Sequence, residues 1–306
     1  MSSISNRDYS ARTILSDETF IYVVTDGPRI TRFNRTTFAS DTVDVQAAGI
    51  SAAAGGFGIA EQDSNYIYVV ADGAGGFTSQ PMRVVRLLKS DFSPSGLSYV
   101  NITAAGSFGA FGMARVGTKL IISSCTKFTV TNPKVYSLDL TDFSTVSSAA
   151  LSHFLGRGVS DGSNAYFCPM QVGFDAFTPD VHPPRAYFGA KISPSLTVTY
   201  FDIRDDANVV SIGTFGTNVP WVDSTYLYFL TNVDTYIYNG PVNLPRVSRR
   251  RLSDLSVGSG FDLTSLFDPS AFGVFQGAFA NGKHVISGFR CIVELAQDLS
   301  SGTFHS

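Results

Sequence analysis

Glutamate is nearly missing from this chain: Glu18, Glu61 and Glu294 are the only three in 306 residues, and lysine occurs only at 89, 119, 127, 134, 191 and 283. Long helices usually carry both residue types on their exposed faces, so the scarcity argues against a helical protein. Charged residues are 15% of the chain against 44% hydrophobic, which excludes disorder along its whole length. The net charge of -3 supplies no global field for nucleic acid or an anionic membrane. No apolar run reaches the roughly 20 residues that span a bilayer. The longest uncharged small-residue stretch, 47–60, is Gly-rich and short. Residues 1–8 show no basic region followed by an apolar stretch, so synthesis and folding in a cytosol without a signal peptide is the expectation. Cys125, Cys168 and Cys291 are odd in number, with no C-x-x-C pair and no His at ligand spacing, so buried thiols are expected rather than a disulfide framework or a zinc site.

What is abundant is Phe, Tyr and Gly, at 25, 13 and 28 residues, the composition of strands and tight turns. An aromatic, β-branched strand recurs as Phe20-Ile21-Tyr22-Val23-Val24, Tyr66-Ile67-Tyr68-Val69-Val70 and Tyr226-Leu227-Tyr228-Phe229-Leu230. Weaker copies stand at 120–122, 165–167 and 284–286. Asp17, Asp63 and Asp223 lie three residues before the aromatic, where a carboxylate can cap a hairpin corner. A second strand follows, opened by Arg29, Arg83, Lys134, Arg185, Arg246 or Arg290. Nine residues after five of these six stands a large apolar residue, Phe38, Phe92, Phe143, Leu255 or Leu299. The Arg185 repeat departs, reading Ser193-Pro194-Ser195-Leu196.

Intervals between the basic markers are 54, 51, 51, 61 and 44 residues, and the wrap through the termini is 45. A repeat of that period that wraps at its own length predicts an all-β, six-bladed propeller of four-stranded antiparallel blades, closed near the two termini, with residues 1–306 forming one domain. Gly-rich segments such as 58–60, 112–114, 158–160 and 277–279 are assigned to the first strand of a blade, and 42–45 and 97–100 to the fourth. The last repeat has only residues 303–306 for its fourth strand, so Met1–Asn6 are expected to complete or flank that blade.

The Tyr-Ile-Tyr-Val-Val strand, the Asp-Gly after it at 26–27 and 72–73, and the Arg-Val-Val-Arg-Leu strand ending in Asp-Phe-Ser resemble the divergent YVTN-like and NHL-like propeller repeats. The Asp-rich, Ser/Thr-rich style is also similar to propeller proteins in virions of tailed bacteriophages. With one Trp, Trp221, the chain lacks a WD signature, a sialidase box and the aromatic set of fucose lectins.

Catalytic chemistry finds little support. Metal-dependent propeller hydrolases need several carboxylates from first strands, and here those segments offer Gly, Ala and Ser with Glu61 as their one glutamate. His153, His182, His284 and His305 have no neighbouring nucleophile motif. Neither catalytic residues nor a metal or cofactor are expected.

The loops between second and third strands vary in length. The two longest carry Phe174, Phe177 and His182, and Tyr236 and Tyr238, which suit a protein or sugar interface. The six basic markers, with Arg32, Arg86 and Arg249 three residues after three of them, are read either as structural pairs or as a cationic rim for a carboxylate-rich partner. The functional expectation is a non-enzymatic structural or adhesion subunit, a virion component docking on other assembly proteins and attaching to a host surface, without nucleic acid or membrane insertion. A carbohydrate-binding propeller is the alternative, and a metal-dependent hydrolase or lactonase the third reading.

Overall fold

The computed structural model describes residues 11–25, 29–50, 59–71, 81–103, 108–126, 132–169, 187–206, 220–231, 246–263, 274–288 and 292–305. Within them, 24 strands form six four-stranded sheets, each an antiparallel meander of consecutive strands. The architecture is the expected all-β, six-bladed one. The chain divides into two compact units, Met1–Ala150 and Leu151–Ser306, with three sheets in each. Among the described residues no helix is long and apolar enough to cross a membrane.

In the first unit, the first sheet holds β1 (Ala11–Ser16), β2 (Phe20–Thr25), β3 (Arg29–Asn34) and β4 (Ser40–Asp44). The second holds β5 (Ala60–Gln62), β6 (Tyr66–Ala71), β7 (Arg83–Leu88) and β8 (Leu97–Asn101). The third holds β9 (Phe108–Val116), β10 (Lys119–Thr126), β11 (Lys134–Asp139) and β12 (Val146–Ala150).

In the second unit, the fourth sheet holds β13 (Leu155–Ser160), β14 (Ala165–Pro169), β15 (Phe188–Ile192) and β16 (Val198–Asp202). The fifth holds β17 (Trp221–Val222), β18 (Tyr226–Thr231), β19 (Arg246–Arg251) and β20 (Val257–Asp262). The sixth holds β21 (Val274–Ala280), β22 (Lys283–Gly288), β23 (Ile292–Ala296) and β24 (Gly302–His305).

Burial on both faces explains why the second strands are apolar throughout instead of alternating. Along β6, Ile67, Val69 and Ala71 pack with Tyr22, Val24 and Ile30 of the first sheet. Tyr68 and Val70 of the same strand face the third sheet, against Met113, Leu120, Ile122 and Phe143. β18 repeats the arrangement in the second unit: Leu227 and Phe229 pack with Tyr166 and Phe201, whereas Tyr228 and Leu230 pack with Ile286 and Val293. Each such fully buried side chain contributes about 1.5–3 kcal/mol.

Glycine in the first strands has a specific cause. A Cβ at Gly277 would lie 2.3 Å from the Trp221 ring, so the indole lies flat on that backbone only because no side chain is there.

The expectation for the last blade is met in part by its own segment. The sixth sheet takes its fourth strand from its own segment, since the four residues Gly302–His305 suffice to pair with β23. The first described strand, β1, belongs to the first sheet, so the two ends of the described chain lie in different sheets. Met1–Asn6 fall outside the described residues.

Candidate functional site

The hairpin corner between first and second strands is built by one carboxylate. Oδ1 of Asp63 accepts from the backbone N–H of Asn65 and of Tyr66, both at 2.7 Å, and Oδ2 accepts from the Tyr68 hydroxyl at 2.6 Å. The same arrangement joins Asp17 to Tyr22, Asp161 to Tyr166 and Asp223 to Tyr228, with hydroxyl distances of 2.8, 2.8 and 2.7 Å. Burial alone would raise the Asp63 carboxyl, but the bonds from Tyr68, Tyr66 and Asn65 outweigh it and hold the group below the usual range. The Tyr68 phenol is pushed up, first by burial and then by its bond to Asp63. The third and sixth sheets have no Asp at this corner. They turn on Gly117 at φ 57 and on Asn281-Gly282 at φ 52 and 74, the tight hairpin that left-handed residues permit.

At the other end of the third strand, the large apolar residue of the turn adopts left-handed backbone in five of the six sheets, the second sheet with its 3-10 turn at Pro94–Gly96 being the exception. Phe38, Phe143, Leu196, Leu255 and Leu299 have φ between 50 and 64. That conformation costs an ordinary residue about 1–2 kcal/mol. Burial offsets the cost for Phe143, Leu255 and Leu299, which insert into the cores between sheets. Phe38 is the exception, 72% exposed.

A cation lies between these two devices. The Arg86 guanidinium carbon is 4.9 Å from the Tyr66 ring centre and 4.1 Å from that of Phe143. Arg32 is likewise 4.8 Å from Phe20 and 4.4 Å from Phe92. Lys89 adds a second cation in the first unit, its Nζ 3.3 Å from Asp17 Oδ2 and 5.3 Å from the Tyr22 ring.

In the second unit Lys191 occupies one corresponding place, 5.7 Å from the Tyr166 ring and bonded to the Leu252 carbonyl at 3.1 Å, and the place beside Arg249 is open. A surface pocket of about 480 Å³ is lined, among the described residues, by Asp223, Thr225, Tyr226, Tyr228, Arg249, Gln297 and Asp298. Arg249 lies 4.3 Å from the Tyr226 ring, its Nη2 donates to Ser259 Oγ at 2.6 Å, and its buried Nε makes no hydrogen bond. Gly258 lets its stem lie flat, because a Cβ there would come within 2.8 Å of Arg249 Cγ.

Of the six basic markers, four are described. Arg29 donates to Asp44 at 2.7 Å, and Arg83 to Asn101 at 3.0 Å and to the Ile50 carbonyl. Arg246, buried, donates to Asp262 at 2.7 Å and lies 3.5 Å from the buried Asp206. Lys134 pairs in register with Ala150. The three arginines thus reach back to their own fourth strand, each opposite an Asp or Asn. Arg185 and Arg290 lie outside the described residues. The position equivalent to Arg29 in the fourth sheet is Phe188, opposite Asp202, because that repeat has its own turn length. Phe174, Phe177, His182, Tyr236 and Tyr238 also lie outside the described residues.

The titratable groups are held in structural roles. His284 is fully buried, with Trp221 Nε1 donating to its Nδ1 and its Nε2 3.1 Å from the Gln297 carbonyl, which fixes a neutral ring protonated at Nε2. Burial holds its pKa below the usual value. His153 stacks on Phe188 at 3.9 Å. Cys168 is a buried free thiol whose pKa burial pushes up. Burial raises the Glu61 carboxyl to about 7, against the opposing pull of Arg115. Among the described residues no group of three or more His, Cys, Asp or Glu side chains is placed to hold a metal ion.

The link from Asp to the Tyr five residues on is legible as Asp-x-x-x-x-Tyr in four repeats, a bond beyond the turn cap expected of the aspartate. Arg249 was singled out only as a rim residue. In the turn of the last repeat Leu299 stands where three other repeats have Phe38, Phe92 and Phe143, a difference that acquires meaning only beside the filled sites.

No protein-family model and no curated protein sequence matches this chain. Solved structures do. The Neurospora crassa Pan2 WD40 domain superposes with a TM-score of 0.63 over 99% of this chain and 81% of that one, at 9% identity. The U3-55K structure and the RRP9 WD40 repeats give the same TM-score at 8% identity, also over 99% of this chain and over 83% and 82% of theirs. At such identity the likeness shows the fold alone, a β-propeller, and the sequence of this chain carries no WD signature.

Proposed function

We propose that the protein is a non-enzymatic docking subunit of a larger protein assembly. The observation that carries this reading is the structural employment of the groups that would do chemistry. The corner aspartates cap turns and hold tyrosine hydroxyls, His284 is neutral between Trp221 and Gln297, and Cys168 is buried. What remains for recognition is a rigid scaffold with variable loops, the usual arrangement for a binding platform. The loop residues Phe174, Phe177, His182, Tyr236 and Tyr238 enter this reading from sequence, as does the rim of Arg29, Arg83, Lys134, Arg185, Arg246 and Arg290.

The setting we propose is the virion of a tailed bacteriophage, which the Asp-rich, Ser/Thr-rich style of the sequence suggests, with synthesis in the host cytoplasm and a role in structure or host attachment. The partners are then other virion proteins. The test is size fractionation of the source material with a protein inventory of the particle fraction. Recovery of the chain in intact particles at fixed stoichiometry supports the reading. A free monomer that binds a glycan array would replace it with the carbohydrate-binding reading.

A further inference from the structure

The pocket at Arg249 has counterparts elsewhere in the same chain, and those counterparts are filled. Arg32 and Arg86 each lie against two aromatic rings, one from the start of the second strand of their own sheet and one from the turn of the next sheet. Arg249 keeps the first ring, Tyr226, but the turn residue of the sixth sheet is Leu299. Leu299 has the same left-handed backbone as Phe143, with φ 62 against 50, so the difference is one of side chain and not of path. Three residues before the turn aromatic, the second sheet places Lys89 against Asp17 and Tyr22, the third sheet has the apolar Leu140, and the sixth has Ala296 in that register. The second ring common to the Arg32 and Arg86 sites is therefore missing beside Arg249, as is the ammonium that the Arg32 site adds. Their loss leaves a cavity of about 480 Å³ bordered by the carboxylates Asp223 and Asp298. Bonds from the side chain and the N–H of Ser300 hold Asp298 well below the usual carboxylate range, so it is charged at neutral pH.

We propose that this pocket receives an aromatic side chain of a partner protein, stacked against Arg249, with an adjacent ammonium or guanidinium set against Asp298 and Asp223. The inference rests on the docking reading above and names one of its contacts. The chemistry is that of the filled sites. A ring over a guanidinium is attracted through its quadrupole, and an added cation meets carboxylates that have no lysine of their own beside them, unlike Asp17.

The minimal probe is phenethylamine, which joins one phenyl ring to one ammonium. Titrated into the full chain and followed by NMR, it is expected to bind in the millimolar range and to shift resonances of Tyr226, Arg249 and Asp298. Leu299→Phe supplies the missing ring from within. It should fold with an unchanged or higher melting temperature and weaken probe binding by about tenfold or more. Asp298→Asn keeps the turn cap and should weaken binding roughly threefold, the scale of a partly exposed ion pair; it serves as the second variant if Leu299→Phe does not fold. Absence of probe binding to the wild type, or binding unaltered in both variants, would overturn the proposal. The final arm measures recovery of Leu299→Phe in particles. Loss of recovery with the fold intact supports a partner ring at this place. Full recovery with probe binding lost overturns the partner assignment and leaves the docking reading standing, whereas absence of the wild type from particles overturns that reading itself.

Discussion

The Tyr68 hydroxyl donates to Oδ2 of Asp63 at 2.6 Å across five residues, so one carboxylate closes the hairpin and fixes a ring that is itself buried between two sheets. Asp63→Ala removes the acceptor for two backbone N–H groups and for the phenol together. We expect a loss of about 2–3 kcal/mol, against about 1 kcal/mol for Tyr68→Phe, measured by denaturant unfolding. Because the folded Asp63 carboxyl sits below its unfolded value, its contribution is complete above the unfolded pKa of about 3.9 and disappears as pH falls through the lower folded value. Equal losses for the two variants would show that the carboxylate acts only on the tyrosine.

The left-handed turn residues separate backbone cost from packing gain. Phe38 and Phe143 share that backbone, but Phe38 is exposed and Phe143 is buried against Tyr68. Asn tolerates left-handed backbone, so Phe38→Asn should leave stability within about 0.5 kcal/mol of wild type or raise it slightly. Phe143→Asn should cost about 3 kcal/mol or more by emptying a core position. Melting temperatures of the two variants decide the matter; a similar drop in both would mean that the ring at 38 is packed.

Buried charge gives a third expectation. Arg246 and Asp206 are both buried and 3.5 Å apart. Arg246→Met leaves the carboxylate without that cation and should cost about 3–5 kcal/mol, while Arg246→Met combined with Asp206→Leu should recover much of the loss. A double variant as unstable as the single one would show that Arg246 acts mainly through Asp262.

Glu61 and His284 set opposing pH trends. The folded Glu61 carboxyl is raised to about 7, so the native state binds more protons than the unfolded one between about pH 4.3 and 7, and stability falls as pH rises through that window. The folded His284 pKa is depressed, so stability falls as pH drops below the unfolded value of about 6.5. Glu61→Gln should therefore steepen the loss of stability on acidification from pH 7 to 5, and His284→Phe should flatten it. Unfolding midpoints across that range, unchanged in slope for either variant, would contradict the assignments.

The sheets were legible because the second strand is apolar on both faces and recurs beside an aspartate. Its register, set by burial of Ile67 and Val69 on one side and Tyr68 and Val70 on the other, cannot slip by one residue without exchanging the faces. The alignment of the fourth repeat is hidden in sequence, since pairing places Phe188 and not a basic residue opposite Asp202, and the turn at Leu196 differs in length and shifts the count. The fourth strand of the last blade is hard to see in sequence because four residues look too short, although they have only to pair with one neighbour. The pocket at Arg249 was not legible, since it is made by what Leu299 and Ala296 omit, and an omission is visible only once the filled sites around Arg32 and Arg86 are known.

Hydrogen exchange read by mass spectrometry, on the chain within its intact assembly and on the isolated chain, tests the docking function most directly. The docking reading predicts that peptides covering 170–186 and 232–245, and those containing Arg249 and Asp298, gain protection in the assembly while the second strands β6 and β18 exchange alike in both. Identical exchange everywhere, or protection confined to the second strands, would contradict it.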